Sequence, residues 1–107
     1  MAFGDREVSV SKHWKVYMVR CAKGALYTGI ALDVLKRVAQ HNAGTGAKAI
    51  RALGRPVKLI YSEIVGDKRL ALKREYMIKQ MTRIQKEKLI ASQWLTSEDQ
   101  TYYRAWD

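Results

Sequence analysis

The chain has 107 residues, enough for one domain with a modest core and no second lobe. Its hydrophobic fraction of 48% separates it from disordered chains, and 20 Lys and Arg against 10 Asp and Glu give a net charge of +10, a field that draws phosphate backbones or anionic surfaces. No run approaches the roughly 18 apolar residues that span a bilayer, so no membrane role is expected, and the single cysteine, Cys21, excludes an internal disulfide framework and a cysteine-rich zinc site.

Residues 1–13 are polar, lack sustained periodicity and carry no apolar segment of the secretory-signal kind. They read as a flexible lead, and with the lone cysteine they fit a reducing cytoplasm. Trp14–Cys21 (W-K-V-Y-M-V-R-C) is rich in β-branched and aromatic residues and reads as a strand. Ala22-Lys23-Gly24 breaks it, and Ala25–Ala31 (A-L-Y-T-G-I-A) reads as the return arm of a hairpin. A three-residue loop with Gly24 in the left-handed conformation pairs Cys21 with Ala25, Tyr17 with Gly29 and Val19 with Tyr27. Both tyrosines then share a face as diagonal neighbours. A two-residue loop would send them to opposite faces. Gly29 opposite Tyr17 should leave space above the sheet for a backbone or ligand.

Asp33 is a good N-cap for a helix over Val34–Asn42, ended by Ala43-Gly44, with Val34, Leu35 and Val38 as its apolar stripe. Gly44–Lys48 (G-T-G-A-K) reads as a flexible basic loop and Ala49–Leu53 as a short helical turn. Val57–Val65 reads as a third strand. Asp67 caps a long helix over Lys68–Met81, whose apolar stripe runs through Ala71, Leu72, Ile78 and Met81. Thr82 caps a last helix, to about Ser92, with capping-box spacing in T-R-I-Q. Residues 93–107 set Trp94, Leu95, Tyr102, Tyr103 and Trp106 among polar residues, an aromatic tail suited to docking or to a protein partner. The order β-β-α-α-β-α-α around residues 14–92 predicts an α+β fold: a small three-stranded antiparallel sheet flanked by helices. The hairpin disfavours a doubly wound nucleotide fold, and Gly44-Thr45-Gly46 follows a helix, so it is no dinucleotide or P-loop fingerprint.

Several side chains carry chemistry. Arg37 and His41 lie one turn apart on one helix face. The guanidinium offers a phosphate a planar fork of donors, and the imidazole can donate to the same group or move a proton; the alternative is a solvated face. Glu75 falls at the edge of its helix's buried face, where a carboxylate suits Mg²⁺ or Mn²⁺; the alternative is an ion pair with Lys79, four residues on. Tyr17 and Tyr27 can take part in proton removal where cations are near, or simply pack.

The order of these groups is more specific than any one of them. The run V-Y-M (Val16–Met18), Y-T-G (Tyr27–Gly29), D-V-L-K-R-V-A-Q-H (Asp33–His41) and R-E-Y (Arg74–Tyr76) resembles the GIY-YIG nuclease domain. The stretches His41–Lys48, Arg55–Glu63 and Leu72–Lys79 are similar to its short stand-alone bacterial branch, the YhbQ-like proteins. The resemblance implies a three-stranded antiparallel sheet with flanking helices. It also implies motif tyrosines at Tyr17 and Tyr27, the phosphate arginine at Arg37, a histidine or tyrosine position at His41, and one Mg²⁺ or Mn²⁺ ion held by Glu75. Departures are visible: only the tyrosines and Gly29 persist from the two motifs, and a position that is asparagine in several nuclease members is Glu87 here.

By this resemblance the chain is a divalent-metal-dependent DNA endonuclease in repair or turnover, acting on DNA that includes branched or damaged forms. Lys36, Lys48, Arg51, Arg55, Lys58, Lys73 and Lys79 would form the nucleic-acid-binding surface. Two readings of other classes remain beside it: a non-catalytic nucleic-acid-binding module, and a protein-interaction adaptor working through the aromatic tail. Neither the oligomeric state nor which tyrosine acts as base is legible from the sequence.

Overall fold

The computed structural model describes residues 13–96. The lead before residue 13 and the tail residues Tyr102, Tyr103 and Trp106 lie outside the described residues. The elements follow the expected order: β1 (Trp14–Arg20), β2 (Leu26–Ala31), α1 (Val34–Ala43), α2 (Lys48–Leu53), β3 (Lys58–Gly66), α3 (Lys68–Lys79) and α4 (Arg83–Thr96). The last helix runs four residues past its expected end. No helix among the described residues is long and apolar enough to cross a membrane.

The three strands form one antiparallel sheet in the order β2-β1-β3. The β1–β2 turn has the three-residue form: Cys21 N–H donates to Ala25 O at 2.8 Å and Gly24 N–H to Cys21 O at 2.8 Å, with Gly24 at φ +96°. That turn sets the register, so Tyr17 faces Gly29 and Val19 faces Tyr27, and both tyrosines lie on one side of the sheet. The β1–β3 ladder is interrupted between Met18, paired with Tyr61, and Val19, paired with Leu59. The extra residue, Ile60, is a bulge that lets Ile60 and Tyr61 both enter the same core.

The sheet separates two cores. On one side α3 and α4 cover Val16, Met18, Ile60 and Tyr61 with Ala71, Ile78 and Ile90. On the other, α1 and α2 cover Tyr17, Val19 and Cys21 with Val34 and Ile50. Each fully buried Val, Met or Ile contributes about 1.5–3 kcal/mol, so the central strand, apolar on both faces, anchors both layers.

Local capping chemistry defines the helix starts. Asp33 accepts from Lys36 N–H (3.1 Å) and Asp67 from Leu70 N–H (2.8 Å). The box at α4 is reciprocal: Gln85 accepts from Thr82 N–H at 2.9 Å and Thr82 from Gln85 N–H at 3.1 Å. Edge strand β3 and the residue that leads into it are each closed by a side-chain amide acting as a strand surrogate. Gln93 of α4 bonds both backbone groups of Ser62 (3.3 and 2.6 Å), and Asn42 of α1 bonds both of Val57 (2.7 and 3.2 Å). Arg74 is held at Glu63 (2.8 Å), which also accepts from Tyr61, so the arginine of the R-E-Y run braces α3 against β3.

Two stripe assignments need correction. Leu35 is 73% exposed and Leu72 is 46% exposed. On α1 the inward positions belong to Val34, Val38 and His41, which leaves Leu35 facing out. On α3 they belong to Ala71 and Ile78, with half-buried Glu75 between them. In both helices a polar candidate residue takes an inward place and a leucine of the expected stripe faces out.

Candidate active site

The site forms where α1 lies over the hairpin. Tyr17 projects from the centre of β1 and its ring folds across Gly29. A Cβ at Gly29 would come within 2.7 Å of the Tyr17 hydroxyl. The space expected above Gly29 is thus filled by the tyrosine itself, and the glycine is what lets the phenol lie flat on the sheet.

At the end of α1, His41 is fully buried. Its Nε2 is 2.7 Å from the Tyr17 hydroxyl, and its Nδ1 accepts from Ala47 N–H at 3.3 Å. Tyr27 meets the same imidazole edge-on, with ring centroids 5.5 Å apart, against 6.0 Å for Tyr17. The two motif tyrosines therefore flank one histidine, an arrangement that requires them to share a face.

Arg37 sits one turn before His41, and its guanidinium is steadied by Gln40 at 3.1 Å. It is half-buried, so the solvated-face alternative does not describe it. The electrostatics tie the set together. Burial pushes the Tyr17 phenol up to about 12, and neighbouring Tyr27 adds to the rise. Arg37 pulls the other way, and the charge of Glu75 is felt at the same phenol. Burial, with help from Arg37, holds His41 below the ordinary histidine range, so the imidazole is neutral at pH 7.

Glu75 carries a side chain 18% exposed and pairs with Lys79 at 3.3 Å, so the ion pair set beside the metal role as its alternative is formed. Among the described residues no group of three or more His, Cys, Asp or Glu gathers to enclose a metal. A single carboxylate whose charge reaches the Tyr17 phenol still fits a hard ion that keeps most of its water, as Mg²⁺ and Mn²⁺ do. Lys79 would have to move aside for it.

Beside the site a cleft of about 490 Å³ opens where the end of β2 leads into α1, lined by Trp14, Ile30, Lys36, Arg37, Gln40 and Lys68. Lys36 stands on its rim, and Lys68 lies 5.2 Å over the Trp14 ring. The other basic candidates distribute unevenly. Arg51 donates to Gly44 O (3.2 Å) and Arg55 to Asn42 O (3.4 Å), so both flank the turn that follows α1; Lys48 opens α2 beside them. Lys58 is exposed at the start of β3. Lys73, two residues from Glu75, lies roughly on the opposite side of α3. It joins Arg69, Leu72, Tyr76 and Met77 on an outer face, away from the site.

Three contributors escaped the sequence reading. Gln40, three residues after Arg37, had the right helical spacing to be found. Gly46 and the Ala47 amide had no such signal, because a G-T-G-A-K stretch reads as mobile until its contact with His41 is seen. Glu87 is no stand-in for a site asparagine. Arg20 holds it through two bonds (3.0 and 3.1 Å) and Arg83 through a third (3.0 Å), and these contacts, Arg20 foremost, lower its carboxyl pKa.

Residues 13–88 match the GIY-YIG catalytic domain. UPF0213 proteins of Yersinia pestis (strain Pestoides F) and Yersinia pseudotuberculosis (serotype O:1b, strain IP 31758) are 50% identical over 80 residues, 75% of this chain and 83% of theirs. A protein of E. faecalis solved by solution NMR is 34% identical, with a TM-score of 0.56 over 81% of this chain and 92% of that one. A UPF0213 protein of Bacillus halodurans, also solved by NMR, is 36% identical over 74% of this chain and 83% of that one, with a TM-score of 0.48. This chain belongs to the GIY-YIG catalytic-domain family, in its UPF0213, or YhbQ-like, branch.

Proposed function

We propose that the protein is a divalent-metal-dependent endonuclease that hydrolyses phosphodiester bonds of DNA, including branched or damaged DNA, in repair or turnover in the cytoplasm. The observation that carries this reading is the contact of Tyr17 and Tyr27 with one buried histidine, with Arg37 and Glu75 acting on the same phenol.

The residues divide the work. Arg37 presents its fork of N–H donors to the non-bridging oxygens of the scissile phosphate, and Gln40 fixes its angle. Tyr17 is a phenol at neutral pH, as tyrosines ordinarily are, and burial pushes it up further, to about 12, so it orients by hydrogen bonding rather than by charge. Tyr27, half-buried where Tyr17 is fully buried, is the tyrosine open to the attacking water and able to assist its deprotonation. Mg²⁺ or Mn²⁺, held by Glu75, would supply Lewis acidity at the departing oxygen. Lys36, Lys48, Arg51, Arg55, Lys58 and Lys79 hold the flanking backbone, an interaction that positions the DNA without reading sequence.

The test is incubation of pure protein with linear and branched DNA across Mg²⁺, Mn²⁺ and chelator. Nicking should require the metal and disappear in Glu75→Ala and Arg37→Ala while DNA retention persists. Retention of DNA by the wild type with no cleavage under any metal would identify a binding module instead. Cleavage undiminished in Glu75→Ala would point to a contaminating nuclease.

A further inference from the structure

We propose that the Gly46–Ala47 turn is a positioning device that locks His41 in its Nε2–H tautomer, making the histidine a fixed hydrogen-bond donor to Tyr17 and not a proton shuttle. The tautomer follows from geometry alone; its catalytic meaning rests on the nuclease reading above.

The Ala47 backbone amide can only donate, so Nδ1, at 3.3 Å from it, must present its lone pair. In a neutral imidazole the proton then sits on Nε2, and the 2.7 Å contact to Tyr17 has His41 donating and the phenol oxygen accepting. With the opposite tautomer, or with imidazolium, two N–H groups would face each other at Nδ1. The ring is fully buried, so water cannot take over from the amide.

The backbone is built for this contact. Gly44 at φ +87° turns the chain at the end of α1, closed by Gly44 N–H to His41 O (3.2 Å) and Thr45 N–H to Gln40 O (3.0 Å). The chain then passes back over the imidazole at Gly46. A Cβ there would lie 2.2 Å from Nδ1 and 2.9 Å from the His41 Cα, which no side chain tolerates. Gly46 is therefore the position that admits the amide to the ring. A shuttle would need an Nε2 lone pair facing Tyr17, and this turn withholds it. The Tyr17 hydroxyl hydrogen must consequently point away from His41.

Imidazole ¹⁵N shifts of the labelled full-length protein read the tautomer directly, without any assay of activity. At neutral pH His41 should show a protonated-type Nε2 and an unprotonated-type Nδ1, and Gly46→Ala should shift both toward a mixed state. A wild-type spectrum with Nδ1–H, or with the two forms averaged, would overturn the assignment, whether or not Gly46→Ala folds. For the catalytic role, His41→Gln keeps an N–H donor near the Nε2 position and cannot titrate. Its DNA cleavage should fall by no more than about tenfold, while His41→Ala falls by about 10² or more, the usual loss for a preorganised donor. Equal losses in the two variants would refute the donor role. A protein that cleaves nothing yet shows the Nε2–H tautomer would refute the nuclease reading and leave the lock standing.

Discussion

Two buried titratable side chains in contact give the site opposite pH responses. His41 is held below the ordinary value of about 6.5, chiefly by burial, so the unfolded chain takes up a proton in acid that the folded site refuses. Its contribution to stability is present above pH 6.5 and is lost as pH falls. Tyr17, raised to about 12, works in reverse. The unfolded phenol ionises near pH 10 while the folded one does not, so stability declines above that pH. Urea unfolding across pH should show both limbs. His41→Gln should flatten the acid limb and Tyr17→Phe the alkaline one. Limbs unchanged by these variants would mean that the two groups are not buried together as described.

The elements are held by devices of very different legibility. The hairpin register was readable down to one choice: a three-residue turn ending at Gly24 places Tyr17 beside Tyr27 and a two-residue loop does not, and the structure has the former. The caps at Asp33, Asp67 and Thr82 were readable because each is a local side-chain bond. The inward faces of α1 and α3 were only half readable. Leu35 and Leu72 fit an apolar stripe as well as His41 and Glu75 fit a polar one, and only the partner surface decides between them. The bulge at Ile60 depends on a strand partner distant in sequence, and the return of Gly46 over His41, though only five residues on, matches no local pattern, so neither left a readable mark. The same is true of the amides that close β3. Each of Gln93→Ala and Asn42→Ala leaves a donor and an acceptor of a part-buried edge unpaired, for an expected loss of about 1–3 kcal/mol in chemical denaturation. A loss near zero would show that water replaces the amide at that edge. The Arg20–Glu87–Arg83 cluster is more exposed and holds α4 to the hairpin only weakly.

For the whole molecule, the excess of +10 should govern how the proposed DNA substrate is met. Lys48, Arg51 and Arg55 are exposed around the turn that follows α1, next to the site rather than behind it. Replacing all three with alanine should weaken duplex binding evenly across sequences. It should also reduce the slope of log affinity against log salt by about three, near one for each phosphate no longer neutralised. An unchanged slope would move the DNA path to another face. The central claim, however, is that five residues from β1, β2, α1 and α3 form one metal-dependent centre. Paramagnetic broadening by Mn²⁺, titrated into labelled protein, tests it most directly. Signals of Glu75, Tyr17 and His41 should broaden first and together, and Glu75→Gln should remove the effect. Broadening centred elsewhere, or undiminished in Glu75→Gln, would contradict the site.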